Sequence, residues 1–234
     1  MKILQKGFNY SQDGPGNRLV YHLQGCNFAC KWCSNADSIP LENPAAKDFP
    51  VEFLFDEIKR SRMMFFDGGG VTFTGGEACV QAAELLELLK LLKAEGINAA
   101  IETNGSYFAL REIAEYIDYL IIDLKHFDED EHLKWTSASN KATKDNIEYF
   151  LSQKRSVHIR IPIINGVNTD AKGFAEYFSG FDTSNAVFEF LAYHEYGKDK
   201  WQTEYQIENG FVSTDVIEDF NETFKSYGLK TVVT

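Results

Sequence analysis

The chain has 234 residues, of which 44% are hydrophobic and 25% charged, a composition ordinary for a globular protein with a sizeable core. Its 23 basic and 35 acidic residues give a formal net charge of −12, which disfavours a nucleic-acid partner because such a partner needs a basic face. The sequence contains no signal peptide and none of the roughly 18 consecutive apolar residues that a membrane-spanning helix needs. We therefore expect a cytoplasmic protein with no membrane contact.

Runs of β-branched and aromatic residues alternate with helical patterns along the chain. In chain order the predicted elements are a strand at Arg18–Leu23, a helix at Val51–Met63, a strand at Gly70–Thr74, a helix at Gln81–Glu95, a strand at Asn98–Thr103, a helix at Leu110–Tyr116, a strand at Tyr119–Asp123, a helix at Asn140–Gln153, a strand at Val157–Ile163, a helix at Ala171–Phe178, a strand at Val187–Ala192, a helix at Thr214–Tyr227 and a strand at Leu229–Val233. The acidic run Asp128–Glu131 is interpreted as solvated surface.

This alternation indicates an α/β protein with a parallel sheet and right-handed crossovers. A βαβ unit takes about 30 residues, so the ~180 residues beyond the first strand and its loop supply about six units. A closed eightfold barrel typically needs ~250 residues. We therefore predict a partial (β/α)6 TIM-type barrel in a single domain over residues 1–234, although a doubly wound open sheet fits the same alternation. Either fold places functional residues at the C-terminal ends of strands.

Three of the four cysteines lie within eight residues, as Cys26-x3-Cys30-x2-Cys33, directly after the first predicted strand. Three thiolates on one loop can bind three irons of a [4Fe–4S] cluster, and the fourth iron then stays open to another ligand. A zinc site with His22 or Cys79 as the fourth ligand is the alternative, but structural zinc sites usually have two C-x2-C pairs or a Cys2His2 set. The isolated Cys79 is interpreted as a small apolar residue.

A second motif, VTFTGGEA at Val71–Ala78, covers the end of the second predicted strand and the residues after it. Gly75 and Gly76 allow the backbone to approach a ligand closely, and Glu77 adds a carboxylate at the end of the strand. The alternative is a tight turn in which the acid caps the following helix.

The cysteine spacing resembles that of the radical S-adenosylmethionine superfamily. In that family the three cysteines hold a [4Fe–4S] cluster whose open iron chelates the amino and carboxylate groups of S-adenosylmethionine. An electron from the cluster cleaves the sulfonium, and the resulting 5′-deoxyadenosyl radical abstracts hydrogen from the substrate. Trp32 stands where the family has an aromatic residue, and Gly75, Gly76 and Glu77 are similar to the motif that holds the amino group of the cofactor. Ala78 departs from the more common proline.

A narrower resemblance is to the glycyl-radical enzyme activating enzymes, whose type member acts on pyruvate formate-lyase. It rests on motifs that follow in the same order and cover about Phe8 to Trp201: QDGPGNR, GCNFACKWCSN, GGEACVQ, ETNG, DLK, RIPI and AYH. It implies one [4Fe–4S] cluster on Cys26, Cys30 and Cys33, no catalytic side chain, and a set of residues that bind S-adenosylmethionine. That set is Trp32, Asn35, Gly75, Gly76, Glu77, Glu102, Asn104, Asp123, Lys125, Arg160 and His194. A monovalent cation near Glu102 and Asp123 is a further expectation.

These assignments also agree with the chemistry of a zwitterionic sulfonium cofactor, which needs carboxylates near its cationic groups and Lys or Arg near its anionic group. Alternatives stay open at three positions. Asp123 and Lys125 can form a strand-end ion pair, His194 can be structural, and Arg160, which alternates with apolar neighbours, requires a ligand or an acidic partner.

Some features of the family differ here. Ser34–Phe53 contains no further cysteine, so we expect no ferredoxin-like insertion. Glu102 stands in place of an aspartate, Ser34 in place of a histidine and Asn165 in place of a proline. The resemblance implies an activase that abstracts hydrogen from a glycine of a partner glycyl-radical enzyme, with a flavodoxin- or ferredoxin-type electron donor. A radical S-adenosylmethionine enzyme acting on a small molecule, such as a deazapurine synthase, and an iron–sulfur electron carrier are the alternatives.

Overall fold

The computed structural model describes residues 1–233; Thr234, the last residue of the predicted domain, lies outside the described residues. The strands are β1 (Lys2–Tyr10), β2 (Asn17–Leu23), β3 (Lys47–Asp48), β4 (Gly70–Gly75), β5 (Ala99–Thr103), β6 (Tyr119–Asp123), β7 (Val157–Ile163), β8 (Ala186–Ala192) and β9 (Thr231–Val232). The α-helices are α1 (Val51–Arg60), α2 (Ala82–Ala94), α3 (Leu110–Ile113), α4 (Glu129–Thr136), α5 (Lys141–Ser152), α6 (Ala171–Ser179) and α7 (Thr214–Ser226).

The strands form one sheet in the order β3-β1-β2-β4-β5-β6-β7-β8-β9, so β3 and β9 are its edges and the sheet is not closed. β2 pairs in parallel with β4 and β4 with β5, and the same holds for β7 with β8 and β8 with β9. The N-terminal strand β1 pairs antiparallel with β2 and with β3. The predicted α/β class with a mostly parallel, open partial barrel is confirmed.

Every strand and helix predicted from the sequence is present, with ends shifted by a few residues. The sequence analysis missed β1, whose side chains are mostly exposed and therefore give no alternating pattern, and the two-residue β3. The cysteine loop thus follows the second strand of the chain, which is the first of the parallel strands.

The acidic run interpreted as solvated surface begins helix α4, an element that the sequence analysis missed. The side chain of Asp128 caps this helix by accepting from the backbone N–H of Glu131. The carboxylates that follow lie in the first turn, where the helix dipole favours negative charge. Local charge patterning, rather than apolar periodicity, therefore carries the signal for this helix.

The chain divides into two compact units, each made of several segments. The first comprises residues 1–27, 37–103 and 107–121, and the second comprises residues 28–36, 104–106 and those from 122 onward. In the first unit α1 packs on α2, and both contribute wholly buried aliphatic side chains: Leu54, Ile58, Leu85, Leu88, Leu89 and Leu92. In the second unit α6 and α7 pack together around an aromatic core of Phe174, Phe178, Phe188, Phe220 and Phe224. The single domain over the whole chain stays a prediction.

No helix among residues 1–233 combines the length and the hydropathy needed to cross a bilayer.

Candidate functional site

The turn after β4 lies against the backbone that leads into the cysteine loop. The backbone N–H groups of Gly76 and Glu77 donate to the carbonyls of Leu23 and Gly25 at 2.9 and 2.8 Å. A Cβ at Gly75 would come within 2.4 Å of the Leu23 nitrogen, and a Cβ at Gly76 within 2.2 Å of the Gly25 oxygen. Gly75 also has a φ of +111°. The two glycines therefore allow two backbone segments to approach each other closely here. Their expected role in binding the cofactor stays a prediction.

Glu77 is wholly buried at the end of this turn. Its Oε1 accepts from the hydroxyl of Thr103 at 2.7 Å and from the backbone N–H of Cys79 at 2.9 Å. The carboxylate caps a short 3₁₀ turn over Ala78–Gln81, so the capping role considered from the sequence is present. Burial, together with the charge of Glu77, raises the pKa of the Cys79 thiol well above its usual value.

Cys26, the first cysteine of the motif, belongs to the same unit as Glu77. Its backbone N–H donates to the carbonyl of Ile39 at 3.0 Å, which fixes the start of the loop. Burial raises the pKa of Tyr107, and the charges of Glu77 and Cys26 raise it further. The charges of Glu77 and Cys26 therefore both act on the phenol of Tyr107.

Glu102, at the end of β5, is half-buried and accepts from the hydroxyl of Thr74 at 2.8 Å. The neighbouring strands β4 and β5 thus exchange two contacts, since Glu77 follows β4 and is held by Thr103 of β5. The sequence analysis missed both threonines. In the sequence, their position close to acidic residues at the ends of strands was the feature that could have identified them.

In the second unit, the end of helix α4 holds the middle of the cysteine loop. The backbone N–H groups of Ala29 and Lys31 donate to the carbonyls of Thr136 and Trp135 at 2.8 and 3.1 Å. These are among the last carbonyls of a helix, which have no partner within it. The contacts flank Cys30, whose side chain is buried.

The end of the cysteine loop is organised around Cys33. Its backbone N–H donates to the carbonyl of Cys30 at 3.0 Å, and the N–H of Asn35 lies 3.4 Å from its Sγ. Trp32 between the two cysteines is buried. Amides directed at cysteine sulfur are a common means of stabilising thiolate ligands.

Lys125, two residues beyond Asp123, forms a 2.7 Å ion pair with it. Burial alone would lower the pKa of Lys125, but the carboxylate of Asp123 and the nearby thiol groups of Cys30 and Cys33 outweigh this effect and raise the pKa. The strand-end ion pair considered from the sequence is therefore present. The charges of Cys30 and Cys33, two cysteines of the motif, also act on this cation.

Arg160 on β7 is buried and meets an acidic partner that the sequence analysis did not identify. Its Nε donates to Oε2 of Glu189 on β8 at 2.6 Å, and Nε2 of His158 lies 2.9 Å from the same oxygen. Arg160 was expected to need a ligand or an acidic partner, and Glu189 is that acidic partner. Glu189 is an acidic residue inside a strand of aromatic and aliphatic side chains, and this pattern could have identified it from the sequence.

Asn104 and His194 complete the candidate set in the second unit. Asn104 is buried, and its Oδ1 accepts from the backbone N–H of Ser106 at 2.9 Å. His194 is exposed, and its ring stacks on Tyr196 with the centroids 4.4 Å apart. The partial burial of this ring lowers the pKa of His194.

The candidate residues thus divide between the two units. The first contains Cys26, Gly75, Gly76, Glu77 and Glu102, and the second contains Cys30, Trp32, Cys33, Asn35, Asn104, Asp123, Lys125, Arg160 and His194. Over residues 1–233, no three His, Cys, Asp or Glu side chains are grouped closely enough to hold one metal ion. That result gives no support to the compact zinc site. A cubane cluster differs from a single ion because each cysteine binds a separate iron.

Comparisons with known proteins agree with these motifs. The family model described as the radical SAM superfamily matches residues 20–178. The pyruvate formate-lyase-activating enzyme of Staphylococcus epidermidis is 31% identical over 212 residues, which cover 84% of both chains. The pyruvate formate-lyase 1-activating enzyme of Escherichia coli is 33% identical over 199 residues, covering 81% of this chain and 79% of its own.

Solved structures give the same result. A crystal structure of a domain of pyruvate-formate lyase-activating enzyme from Bacteroides vulgatus superposes with a TM-score of 0.61 at 28% identity, covering 71% of this chain and 99% of that one. Streptococcus suis SuiB bound to S-adenosylmethionine superposes with a TM-score of 0.70 at 15% identity over 92% of this chain and 49% of its own, a likeness of fold. The chain belongs to the radical SAM superfamily and, within it, to the family of the pyruvate formate-lyase-activating enzymes.

Proposed function

We propose that this protein is a radical S-adenosylmethionine activase that abstracts a hydrogen atom from a glycine of a partner glycyl-radical enzyme. The observation that carries the proposal is the likeness to activating enzymes over 81–84% of the chain. The superfamily match over residues 20–178 includes both the cysteine motif and the Glu77 turn. A relative that shared only the cysteine motif would support radical chemistry without indicating a substrate.

Cys26, Cys30 and Cys33 are the residues that would hold a [4Fe–4S] cluster. The described structure suits this group in two respects. The charges of Cys30 and Cys33 act on the ammonium of Lys125 and raise its pKa, and the amide of Asn35 lies 3.4 Å from the sulfur of Cys33. Both features stabilise thiolates over thiols. Bound together, the cluster and S-adenosylmethionine would supply one-electron cleavage of the sulfonium and a radical able to abstract hydrogen.

The remaining candidate residues would bind and orient the cofactor. The buried carboxylate of Glu77 suits an ammonium group, because Thr103 and the amide of Cys79 already fix one of its oxygens. Lys125 and Arg160 are the cations available for the methionine carboxylate, and each is held by an acidic neighbour. We assign Trp32, Asn35, Gly75, Gly76, Asn104 and His194 to the surrounding contacts on the resemblance alone.

Three further assignments belong to the same proposal. Glu102 and Asp123 are the carboxylates that would bind a monovalent cation. The electron donor would be a flavodoxin- or ferredoxin-type protein. We assign the reaction to the cytoplasm, because a reducing compartment keeps the motif cysteines free of disulfides.

The proposal is tested by anaerobic reconstitution. The cluster-loaded protein, a reduced flavodoxin and S-adenosylmethionine are mixed with pyruvate formate-lyase or another glycyl-radical enzyme, and the glycyl radical is detected by electron paramagnetic resonance. We expect a radical that requires all components and is absent with Cys30→Ala. Cleavage of the cofactor without a radical on any glycyl-radical enzyme, but with conversion of a small molecule, would replace this proposal with the small-molecule alternative.

A further inference from the structure

Three residues of one short segment contact three successive residues of the cysteine motif. The indole N–H of Trp201 donates to the carbonyl of Cys33 at 3.0 Å. The ammonium of Lys200 donates to Oδ1 of Asn35 at 2.9 Å. Ser34, which lies between Cys33 and Asn35, is in close contact with Gly197. A Cβ added at Gly197 would come within 2.1 Å of the carbonyl oxygen of Ser34.

The segment that carries these residues, Tyr193 to Tyr205, is itself closed into a loop. The hydroxyl groups of Tyr193 and Tyr205 lie 2.8 Å apart, which joins its two ends. The rings of Trp201 and Tyr205 meet edge to face with centroids 5.4 Å apart. The ammonium of Lys198 is held by Glu195 at 3.0 Å. Trp201 is therefore presented from a segment with several contacts of its own.

We propose that this segment is a clamp on the cluster-binding loop, and that Gly197, Lys200 and Trp201 are positioning residues for the cluster. The inference rests on the proposed function, since it requires that Cys33 is a cluster ligand. None of the three residues ligates iron: Trp201 and Gly197 contact the peptide groups of Cys33 and Ser34, and Lys200 holds the side-chain amide of Asn35.

Two different contacts hold the cluster-binding loop near Cys30 and near Cys33. Cys30 is anchored on one side by helix α4, through Ala29 and Lys31. At Cys33 the corresponding contact is made by the clamp, through the indole N–H of Trp201. A chelator removes iron most readily when a ligand swings away, so loosening the Cys33 end should speed the loss of iron without changing the ligand set. It should also shift the reduction potential, because the amide of Asn35 that is directed at the sulfur loses its fixed position.

The test uses two clamp variants with matched controls in the same unit. Trp201→Phe keeps a ring but removes the N–H whose hydrogen bond the carbonyl of Cys33 accepts, whereas Tyr227→Phe removes a hydroxyl that donates to Glu176, outside the cysteine loop. Gly197→Ala places a methyl group against Ser34, whereas at Gly180 the nearest atom to an added Cβ is 3.7 Å away. Each holoprotein is exposed anaerobically to an iron chelator, the loss of its visible absorption is followed, and its potential is measured by redox titration.

We expect Trp201→Phe to release iron about tenfold faster than Tyr227→Phe, the effect of one lost hydrogen bond. Gly197→Ala should exceed Gly180→Ala in the same way, and the reduction potential should move only in the clamp variants. Lys200→Arg, which keeps a donor for Asn35, should release iron more slowly than Lys200→Met. Equal release rates and potentials in clamp and control variants would overturn the clamp while leaving the proposed function intact. A wild-type protein that binds no cluster would instead overturn the proposed function itself.

Discussion

The hydroxyl of Thr103 and the backbone N–H of Cys79 donate to the same oxygen of Glu77, at 2.7 and 2.9 Å. Glu77 is wholly buried, so the orientation of its carboxylate is set by these two donors rather than by water. An acid held in this way is poised for a cationic group before that group arrives.

The first prediction follows from this contact. Thr103→Val keeps the shape of the side chain but removes the donor, and we expect it to weaken S-adenosylmethionine binding about fivefold to tenfold, as for one buried hydrogen bond. Thr103→Ser, which keeps the hydroxyl, should bind as the wild type does. Calorimetric titration of the anaerobic, cluster-loaded proteins measures the affinity of both variants for S-adenosylmethionine. Equal affinities of the Thr103→Val and Thr103→Ser proteins would show that the hydroxyl of Thr103 does not contribute to binding.

The three motif cysteines should each be indispensable. Cys26→Ala, Cys30→Ala or Cys33→Ala leaves two thiolates, which cannot retain a cluster that needs three protein ligands and one open iron. Iron and sulfide analysis after anaerobic reconstitution, with assay of cofactor cleavage, checks this. A single variant with full iron and full cleavage would show that the ligand set is wrong.

Lys125 should contribute to cofactor binding beyond its ion pair with Asp123. Removing it by Lys125→Ala should weaken S-adenosylmethionine binding by about 1.5–3 kcal/mol, the scale of a hydrogen bond to a charged group, while the cluster still assembles. The control is Lys141→Ala, which removes an exposed lysine paired with Glu129. If Lys125→Ala and Lys141→Ala bind the cofactor equally well, Lys125 is only a structural partner of Asp123.

Cys79 should be chemically silent. It is almost wholly buried, and burial beside Glu77 keeps its pKa high, so the thiol stays protonated at neutral pH. Cys79→Ala should therefore load about four irons per chain, the content of one cubane. Alkylation of the folded apoprotein should modify the motif cysteines first. A Cys79→Ala protein without a cluster, or a wild-type protein with seven or eight irons, would contradict a single three-cysteine cluster.

Acid should destabilise the fold partly through His132, which is wholly buried in the middle of α4. Its Nδ1 lies 2.7 Å from the carbonyl of Ala138. Burial lowers the pKa of His132 to about 4. An unfolded histidine binds its proton near pH 6.5, so the unfolded chain holds more protons between these values and the free energy of unfolding falls as the pH drops through that window. The loss amounts to about 3 kcal/mol.

Denaturant unfolding of the apoprotein at several pH values measures this effect. His132→Asn, whose amide can still donate to Ala138, should show a flatter dependence between pH 6.5 and 4 than the wild type, since only the titrating group is removed. Parallel curves for the two proteins would mean that His132 titrates alike in the folded and unfolded states.

The architecture was largely predictable because the parallel strands are buried and carry runs such as Val157–Ile163, which stand out from their surroundings. β1 was not predictable, because most of its side chains are exposed and the strand owes its place to pairing with β2. Helix α4 was missed because its evidence is a capping aspartate and first-turn acids, not an apolar stripe.

At the site, the charged residues were visible in the sequence, but their partners were not. Lys125 and Asp123 are two residues apart, so their pairing could be foreseen. Glu189 lies 29 positions from Arg160, and Trp201 lies 168 positions from Cys33, so only the fold brings each pair together. Neutral donors such as Thr103 carry no signal in a single sequence until the acid beside them is located.

The central claim is that the hydrogen atom comes from a glycine of a protein partner. Its most direct test is isotopic: a glycyl-radical enzyme is prepared with glycine deuterated at Cα, activated by the loaded protein, and the 5′-deoxyadenosine formed is analysed by mass spectrometry. We expect one deuterium per molecule of 5′-deoxyadenosine formed with the labelled partner, and none with the unlabelled one. Product without deuterium from the labelled partner, together with no glycyl radical, would contradict the account.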